Sequence, residues 1–164
     1  MSLITTAYFT GEINVPDLEP DHPVSTENLA ELTRFILIYE KDYLIRLLGS
    51  DLYAVFVNGT TAEWKTGLTA QLKDETNLIS PIAYWVWVHH KKHITTMSLG
   101  TGEATAANEN STVASPVPKI RDMYIKAVNM TYDVLIWIND NISLFPSYPD
   151  TDLTAFRPMN DLGI

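Results

Sequence analysis

A chain of 164 residues with 46% apolar residues and a mean hydropathy of −0.02 can bury one sizeable core and is too apolar to stay unfolded. Its net charge of −9 and pI of about 4.7 disfavour a protein that grips nucleic acid, because affinity for phosphates rests on clustered Lys and Arg. The absence of cysteine excludes a disulfide framework and any thiolate nucleophile.

The acidity is uneven. Residues 1–31 carry Glu12, Asp17, Glu19, Asp21, Glu27 and Glu31 and no Lys or Arg, whereas the one dense basic spot is Lys91-Lys92, flanked by His89, His90 and His93. The longest apolar run, 78–88, falls well short of the ~18 residues a membrane span needs, so no membrane association is expected. The opening Met1-Ser2-Leu3-Ile4 lacks the basic region and apolar stretch of a secretory signal, and the expected location is the cytoplasm.

Residues 1–24 read as an arm. Ile4, Tyr8, Phe9, Ile13 and Val15 surround Gly11, and Pro16, Pro20 and Pro23 then bias their predecessors towards extended geometry. The apolar front of the arm is expected to dock onto something, as a short strand or a single helical turn. The first helix is predicted over 26–48, with Ser25, Thr26 and Asn28 as candidate N-caps. Leu29, Leu32, Ile36, Tyr39, Tyr43 and Leu47 share one of its faces. Lys41-Asp42 is a candidate kink, Gly49 a C-cap, and Ser50 or Asp51 a restart through Leu52, Tyr53, Val55 and Phe56 to Asn58-Gly59.

A short helix follows over 61–72, carrying Trp64 and Leu68. The next, 77–95, is apolar on nearly all sides and accepts Pro81 in its first turn. A helix hydrophobic all round belongs at the centre of a domain or in an oligomer interface; a buried strand is the competing reading. Residues 96–117 form a polar segment without helical period, read as a long loop that is functional or ordered by a partner. The last helix, 119–141, has a stripe at Ile120, Met123, Ala127, Thr131, Val134 and Ile138, and Pro146, Pro149 and Pro158 make 144–164 a non-helical tail.

Candidate chemistry is sparse. His89 and His93 stand one helical turn apart, a spacing that can hold zinc when a third ligand approaches. The lysines between them oppose a cation, and a basic helix end facing the negative pole of the helix dipole is the favoured reading. Gly100-Thr101-Gly102 lacks the Gly-Lys-Ser/Thr of a phosphate loop and the third glycine of a dinucleotide fingerprint. No Gly-x-Ser-x-Gly elbow is present, and no carboxylate pair is singled out as acid and base. The four Asn-x-Ser/Thr triplets, beginning at Asn58, Asn110, Asn129 and Asn141, read as chance matches. Trp64, Trp85, Trp87 and Trp137 are not interleaved with Lys and Arg as in single-strand binders, so they are assigned to packing. No catalytic, cofactor or metal site is expected. Tyr84, Trp85, Trp87, Trp137, Tyr8 and Phe9 are the candidates for a subunit interface.

A resemblance rests on several stretches taken in order. These are Met1-Ser2-Leu3-Ile4-Thr5, then Phe35-Ile36-Leu37-Ile38-Tyr39-Glu40-Lys41-Asp42-Tyr43-Leu44, and Leu47-Leu48-Gly49-Ser50-Asp51-Leu52-Tyr53. Trp64 follows, then Ile82-Ala83-Tyr84-Trp85-Val86-Trp87, Thr101-Gly102-Glu103, Glu109-Asn110-Ser111, and Pro118-Lys119 leading into the last helix. Across residues 1–145 this order resembles a family of small phage and prophage proteins from Bacteroidales, similar to head–tail connector or head-completion proteins. The resemblance implies a helical structural protein without enzyme activity that assembles into a ring beneath the portal. Its expected partners are its own copies and portal or tail proteins, and its final location is the virion. A net negative charge suits a lumen through which DNA slides without sticking. A small helical binding module or regulator, recruiting a partner through the loop 96–117, is the alternative.

The expected architecture is therefore all-α and a single domain over 1–164. It comprises an arm (1–24), a body of about four to five helices (25–143) that includes the polar loop, and a tail (144–164).

Overall fold

In the computed structural model, residues 2–16, 18, 25–59, 63–99, 102–105, 116–146, 148 and 156 are described. Among them are four α-helices: α1 Ser25–Asn58, α2 Glu63–Leu72, α3 Pro81–Thr95 and α4 Val117–Asp140. The fold is all-α, and its one sheet among the described residues is a two-stranded hairpin.

α1 forms because Leu32, Phe35, Ile36, Tyr43, Leu44, Leu47 and Leu48 recur at helical spacing and are all buried. It runs unbroken through Lys41 and Asp42, where the Arg46 Nε donates to the Asp42 carboxylate one turn back at 2.8 Å. The interruption falls at Gly49, whose φ of 73° and ψ of 162° suit a residue without Cβ. Beyond it the helix resumes and buries Leu52 and Phe56. α1 is thus two helical segments, and the expected end and restart around Gly49 coincide with the break.

α3 begins at Pro81, four residues later than the sequence period predicts. The Asp74 Oδ1 accepts from the backbone N–H groups of Thr76 and Asn77, and Asp74 and Ile79 exchange backbone hydrogen bonds, which closes 74–79 as a loop. Leu78 accordingly takes φ 55°. Ser80 then caps α3: its hydroxyl accepts from the Ile82 N–H at 3.2 Å and donates to the Leu72 carbonyl at 2.7 Å. Pro81 follows in the first turn, where its missing donor costs nothing.

Every residue from Pro81 to Val88 is buried, because α3 lies between α1 and α4 and packs against both. α4 carries the predicted stripe, with Ile120, Met123, Ala127, Thr131, Val134 and Ile138 all buried. α2 leans on α4, and the arm closes the remaining side. Two 3-10 turns, Thr6–Tyr8 and Gly11–Ile13, shape the arm, and Ile4, Tyr8, Phe9, Ile13 and Val15 enter the same core as the helices. The docking site foreseen for the arm is the chain's own body.

The segment 96–117 departs from a simple loop. α3 continues into β1, Thr96–Leu99, which pairs antiparallel with β2, Gly102–Thr105, in the register Thr96↔Thr105 to Leu99↔Gly102. α4 begins at Val117; residues 106–115 lie outside the described residues, as does most of the tail. Of the tail, Phe145 and Phe156 are buried and Tyr148 donates its hydroxyl to the Leu47 carbonyl at 2.8 Å, just before the break in α1.

Candidate functional site

The aromatic residues proposed for a subunit interface belong to the chain's own core. Tyr8, Phe9, Tyr84, Trp85 and Trp87 are each at most 9% exposed within a single chain. Trp137 is partly buried and lies over Gly67 of α2. Within a single chain Tyr8, Phe9, Tyr84, Trp85 and Trp87 are core residues, and Trp137 is only partly covered. The large apolar side chains left in solvent among the described residues are different ones: Leu37, Ile38, Val55 and Val57 on α1, Ile79 before α3 and Ile94 near its end, Val117, Tyr132 and Ile136 on α4, and Ile142 and Leu144 beyond it, with Leu37, Val117 and Ile136 at 60% exposure or more.

Two carboxylates hold the arm in its groove. Glu40, buried on the inner face of α1, accepts from the Ser2 hydroxyl at 2.6 Å, the Leu3 N–H at 2.9 Å and the Ile4 N–H at 3.1 Å. Glu12 accepts from the Lys126 ammonium of α4 and the Tyr84 hydroxyl of α3. The bond from Lys126, then that from Tyr84, holds the Glu12 carboxyl below its usual range. Burial, reinforced by the bond to Glu12, pushes the Tyr84 phenol up to about 12. The Trp87 indole N–H reaches the Asn14 carbonyl at 3.4 Å. Tyr84 and Trp87 stand among the sequence's interface candidates, whereas the roles of Glu40, Glu12 and Lys126 were not singled out from the sequence. The legible signal was Glu40 itself, an acid between Ile36 and Tyr43 on an otherwise apolar stripe.

The histidines at the end of α3 diverge. His89 stacks on Tyr39 with ring centroids 4.1 Å apart and planes 11° from parallel. Burial, then the charge of Lys92, lowers its pKa to about 4. His90 is buried and meets the Phe35 ring edge-on at 5.1 Å, and burial lowers its pKa too. His93 is exposed and lies 3.7 Å from a Glu31 carboxylate oxygen. His89 Nε2, His90 Nδ1 and Trp85 Nε1 are buried without a hydrogen-bond partner among the described residues. Among the described residues no three His, Asp or Glu side chains converge as a metal site requires. Burial lowers the pKa of Lys91 and of Lys92, and the Lys91 ammonium lies 5.8 Å from the centre of the Trp87 ring. A cleft of about 100 Å³ opens beside this end, lined by Val15, Pro16, Asn28, Glu31, His90, Lys91 and Ile94. Of the glycine pair weighed as a phosphate loop, Gly102 starts β2 and Gly100 lies outside the described residues.

A larger, shallow trough of about 610 Å³ runs along α2, lined by Lys65, Thr66, Thr69, Ala70, Lys73, Asp74 and Glu75. Its two lysines are engaged, Lys65 with the Gly59 carbonyl at 3.3 Å and Lys73 with Glu75 at 2.5 Å. The described helices include none long and apolar enough to cross a membrane. Compared with known proteins, the chain matches no family model, no curated protein and no solved structure.

Proposed function

We propose that this chain is a structural protein of a phage or prophage, a head–tail connector or head-completion subunit that acts by assembling into a ring. The observation that carries the reading is the division of its apolar residues. The aromatic side chains fill one chain's core, while Leu37 and Ile38 on α1 and Tyr132 and Ile136 on α4 remain in water on two separate helices. Exposed apolar side chains on more than one helix are compatible with head-to-tail contact, and such contacts close into rings when the rotation is right. The order of sequence features that resembles the connector family supports the same role, as does a charge of −9, which would keep passing DNA from adhering. No catalytic step is part of this role. The proposed partners are further copies of the chain and portal or tail proteins, and the proposed location is the cytoplasm during assembly and the virion afterwards.

Light scattering on the purified chain, alone and with portal protein, tests this. A ring-sized particle is expected, and Leu37→Glu or Ile136→Glu should shift it to monomer without unfolding it. A strict monomer at every concentration, with and without portal, overturns the reading.

The second reading, a small binding module, is favoured by the hairpin. β1 continues directly from α3, and no other helix among the described elements makes a substantial contact with it. A chain that stays monomeric by light scattering and loses a captured partner when 96–105 is removed would favour this reading.

A further inference from the structure

We propose that α1 of one copy docks on α4 of the next, with Arg34 and Lys41 facing Asp133 and Asp140 beside a seam of Leu37 and Ile136. This rests on the ring-assembly reading and names the two faces that meet and what orients them.

Both faces are built on one pattern. On α1, Arg34, Leu37, Ile38 and Lys41 follow one another at helical spacing, so they share a side, and all four are exposed. On α4, Tyr132, Asp133, Ile136 and Asp140 share a side in the same way and are exposed as well. Leu37 is 61% and Ile136 60% exposed, although the opposite sides of the same helices carry the core. Each apolar centre is thus bracketed by two charges of one sign, cationic on α1 and anionic on α4. Among the described residues none of these four charges has an ion-pair partner within its own chain.

The spacing matches as well as the sign. Arg34 to Lys41 and Asp133 to Asp140 are each seven residues, two turns and roughly 10 Å of helix. Two helices laid side by side therefore form both pairs at once. The rows continue one step back with the signs exchanged: Glu27 precedes Arg34 by seven residues, and Lys126 precedes Asp133 by seven. Helices running in the same direction thus oppose unlike charges at three successive levels and bring Leu37 level with Ile136. Lys126 also serves Glu12 of its own chain, so the pairs at Asp133 and Asp140 carry the argument.

The charges decide what the apolar residues cannot. Leu37 packs equally well on a second Leu37, which would give a two-fold dimer. That contact sets Arg34 and Lys41 against the same two cations, and α4 on α4 sets acid against acid; both are opposed by like-charge repulsion. Of the three pairings of these faces, α1 against α4 alone joins unlike charges. A contact between two different faces leaves one of each open on every added copy, so it propagates until the ring closes. Burial of the apolar seam supplies the attraction, and the charges at its rim supply the orientation.

Charge reversal tests the pairing by light scattering, with circular dichroism as the check on folding. All four charged residues are exposed, so their reversal leaves the core intact. Arg34→Glu with Lys41→Glu should turn the oligomer into a monomer at concentrations where the native chain is assembled, and Asp133→Lys with Asp140→Lys should do the same. The two monomers should assemble when mixed, because every α1–α4 contact between unlike copies again joins opposite charges. The quadruple variant, which reverses both faces and keeps the net charge of −9, should regain the native mass on its own. Double variants that keep the oligomer's mass overturn the proposal while leaving ring assembly standing. Double variants that become monomers with no recovery in the quadruple variant overturn it too, since the charges then do not face one another. A native chain that is monomeric at every concentration, with and without portal protein, overturns both.

Discussion

The Tyr43 hydroxyl of α1 and the Thr131 hydroxyl of α4, 88 positions apart in sequence, meet at 2.7 Å, and both residues are fully buried. The direction of this bond follows from a second one. Thr131 uses its only proton on the Ala127 carbonyl one turn back, at 2.7 Å, so Tyr43 must donate to Thr131. Burial raises the pKa of the Tyr43 phenol, which keeps that proton in place. The two deletions are therefore unequal. Thr131→Val strands a buried O–H donor and should destabilise by about 1–3 kcal/mol, whereas Tyr43→Phe leaves only a lone pair unfilled and should cost about 1 kcal/mol. The double variant should be more stable than Thr131→Val alone. Urea unfolding of the three variants checks the order; equal losses with simple additivity would contradict the assigned donor.

Gly67, inside α2, is explained by what it faces. A Cβ there would lie 2.6 Å from Trp137 Cζ2 and 2.7 Å from Cη2. In an open helix, alanine for glycine would stabilise by up to about 1 kcal/mol. Here the overpacking of a rigid indole dominates, and Gly67→Ala should lower stability by about 1–3 kcal/mol. Trp137→Leu, which withdraws the ring, should make the same alanine neutral or favourable. Thermal melts of the single and double variants decide it, and a stabilised single variant would remove the steric account.

How much of this could be read beforehand varied with the range of the interaction. Helical spacing placed the inner faces of α1 and α4, because a face is set by residues three and four apart. Gly49 was legible as a break for the same local reason. The start of α3 was not: Leu78, Ile79 and Ile82 fit the helical period, but the hydrogen bonds closing the loop between Asp74 and Ile79 override it. The hairpin was overlooked although a two-residue spacer opening with Gly100 separates its strands, a weak signal inside a polar stretch. Of the candidate interface, burial was legible and the occupant was not. Tyr84, Trp85 and Trp87 had to be covered, yet only tertiary structure shows that the arm reaches Tyr84 and Trp87 while Tyr43, Tyr124 and Phe156 surround Trp85. Glu40 and Glu12 bind groups 36 to 114 positions away, and no periodicity carries that information.

His89 makes the fold sensitive to acid. Folded, it takes up a proton only near pH 4, against 6.5 for the free side chain, because burial and Lys92 oppose the charge. Unfolding between those values therefore takes up a proton. The stability due to the neutral ring is fully present above 6.5 and is lost as pH falls towards 4, by at most about 1.4 kcal/mol per pH unit. His90, lowered by burial as well, adds loss in the same direction. His89→Phe keeps an aromatic ring against Tyr39 and removes the titration. Its melting temperature should fall less than that of the native chain between about pH 7 and pH 5. Parallel curves for the two proteins would exclude His89 as a source of the acid sensitivity.

Glu40 fixes the start of the arm to the middle of α1. Its carboxylate takes hydrogen bonds from the Ser2 hydroxyl and from the Leu3 and Ile4 N–H groups, and Ile4 is only 1% exposed. Charge-assisted bonds of this kind contribute about 1.5–3 kcal/mol each, and a buried N–H left without a partner costs a comparable amount. Glu40→Ala removes the acceptor from the Ile4 N–H, which then recovers a partner only if the front of the arm lifts into water. The helices do not depend on that contact, since Leu32, Tyr43 and Leu47 pack without it. Local opening of residues 2–16 should therefore precede global unfolding. Limited proteolysis followed by intact-mass measurement should show cleavage within residues 2–16 accelerated about tenfold or more, with the far-ultraviolet circular dichroism of the helices retained. Glu40→Gln keeps one acceptor oxygen and should fall between the native chain and the alanine variant. Cleavage of Glu40→Ala at the native rate would mean that the apolar side chains alone hold the arm.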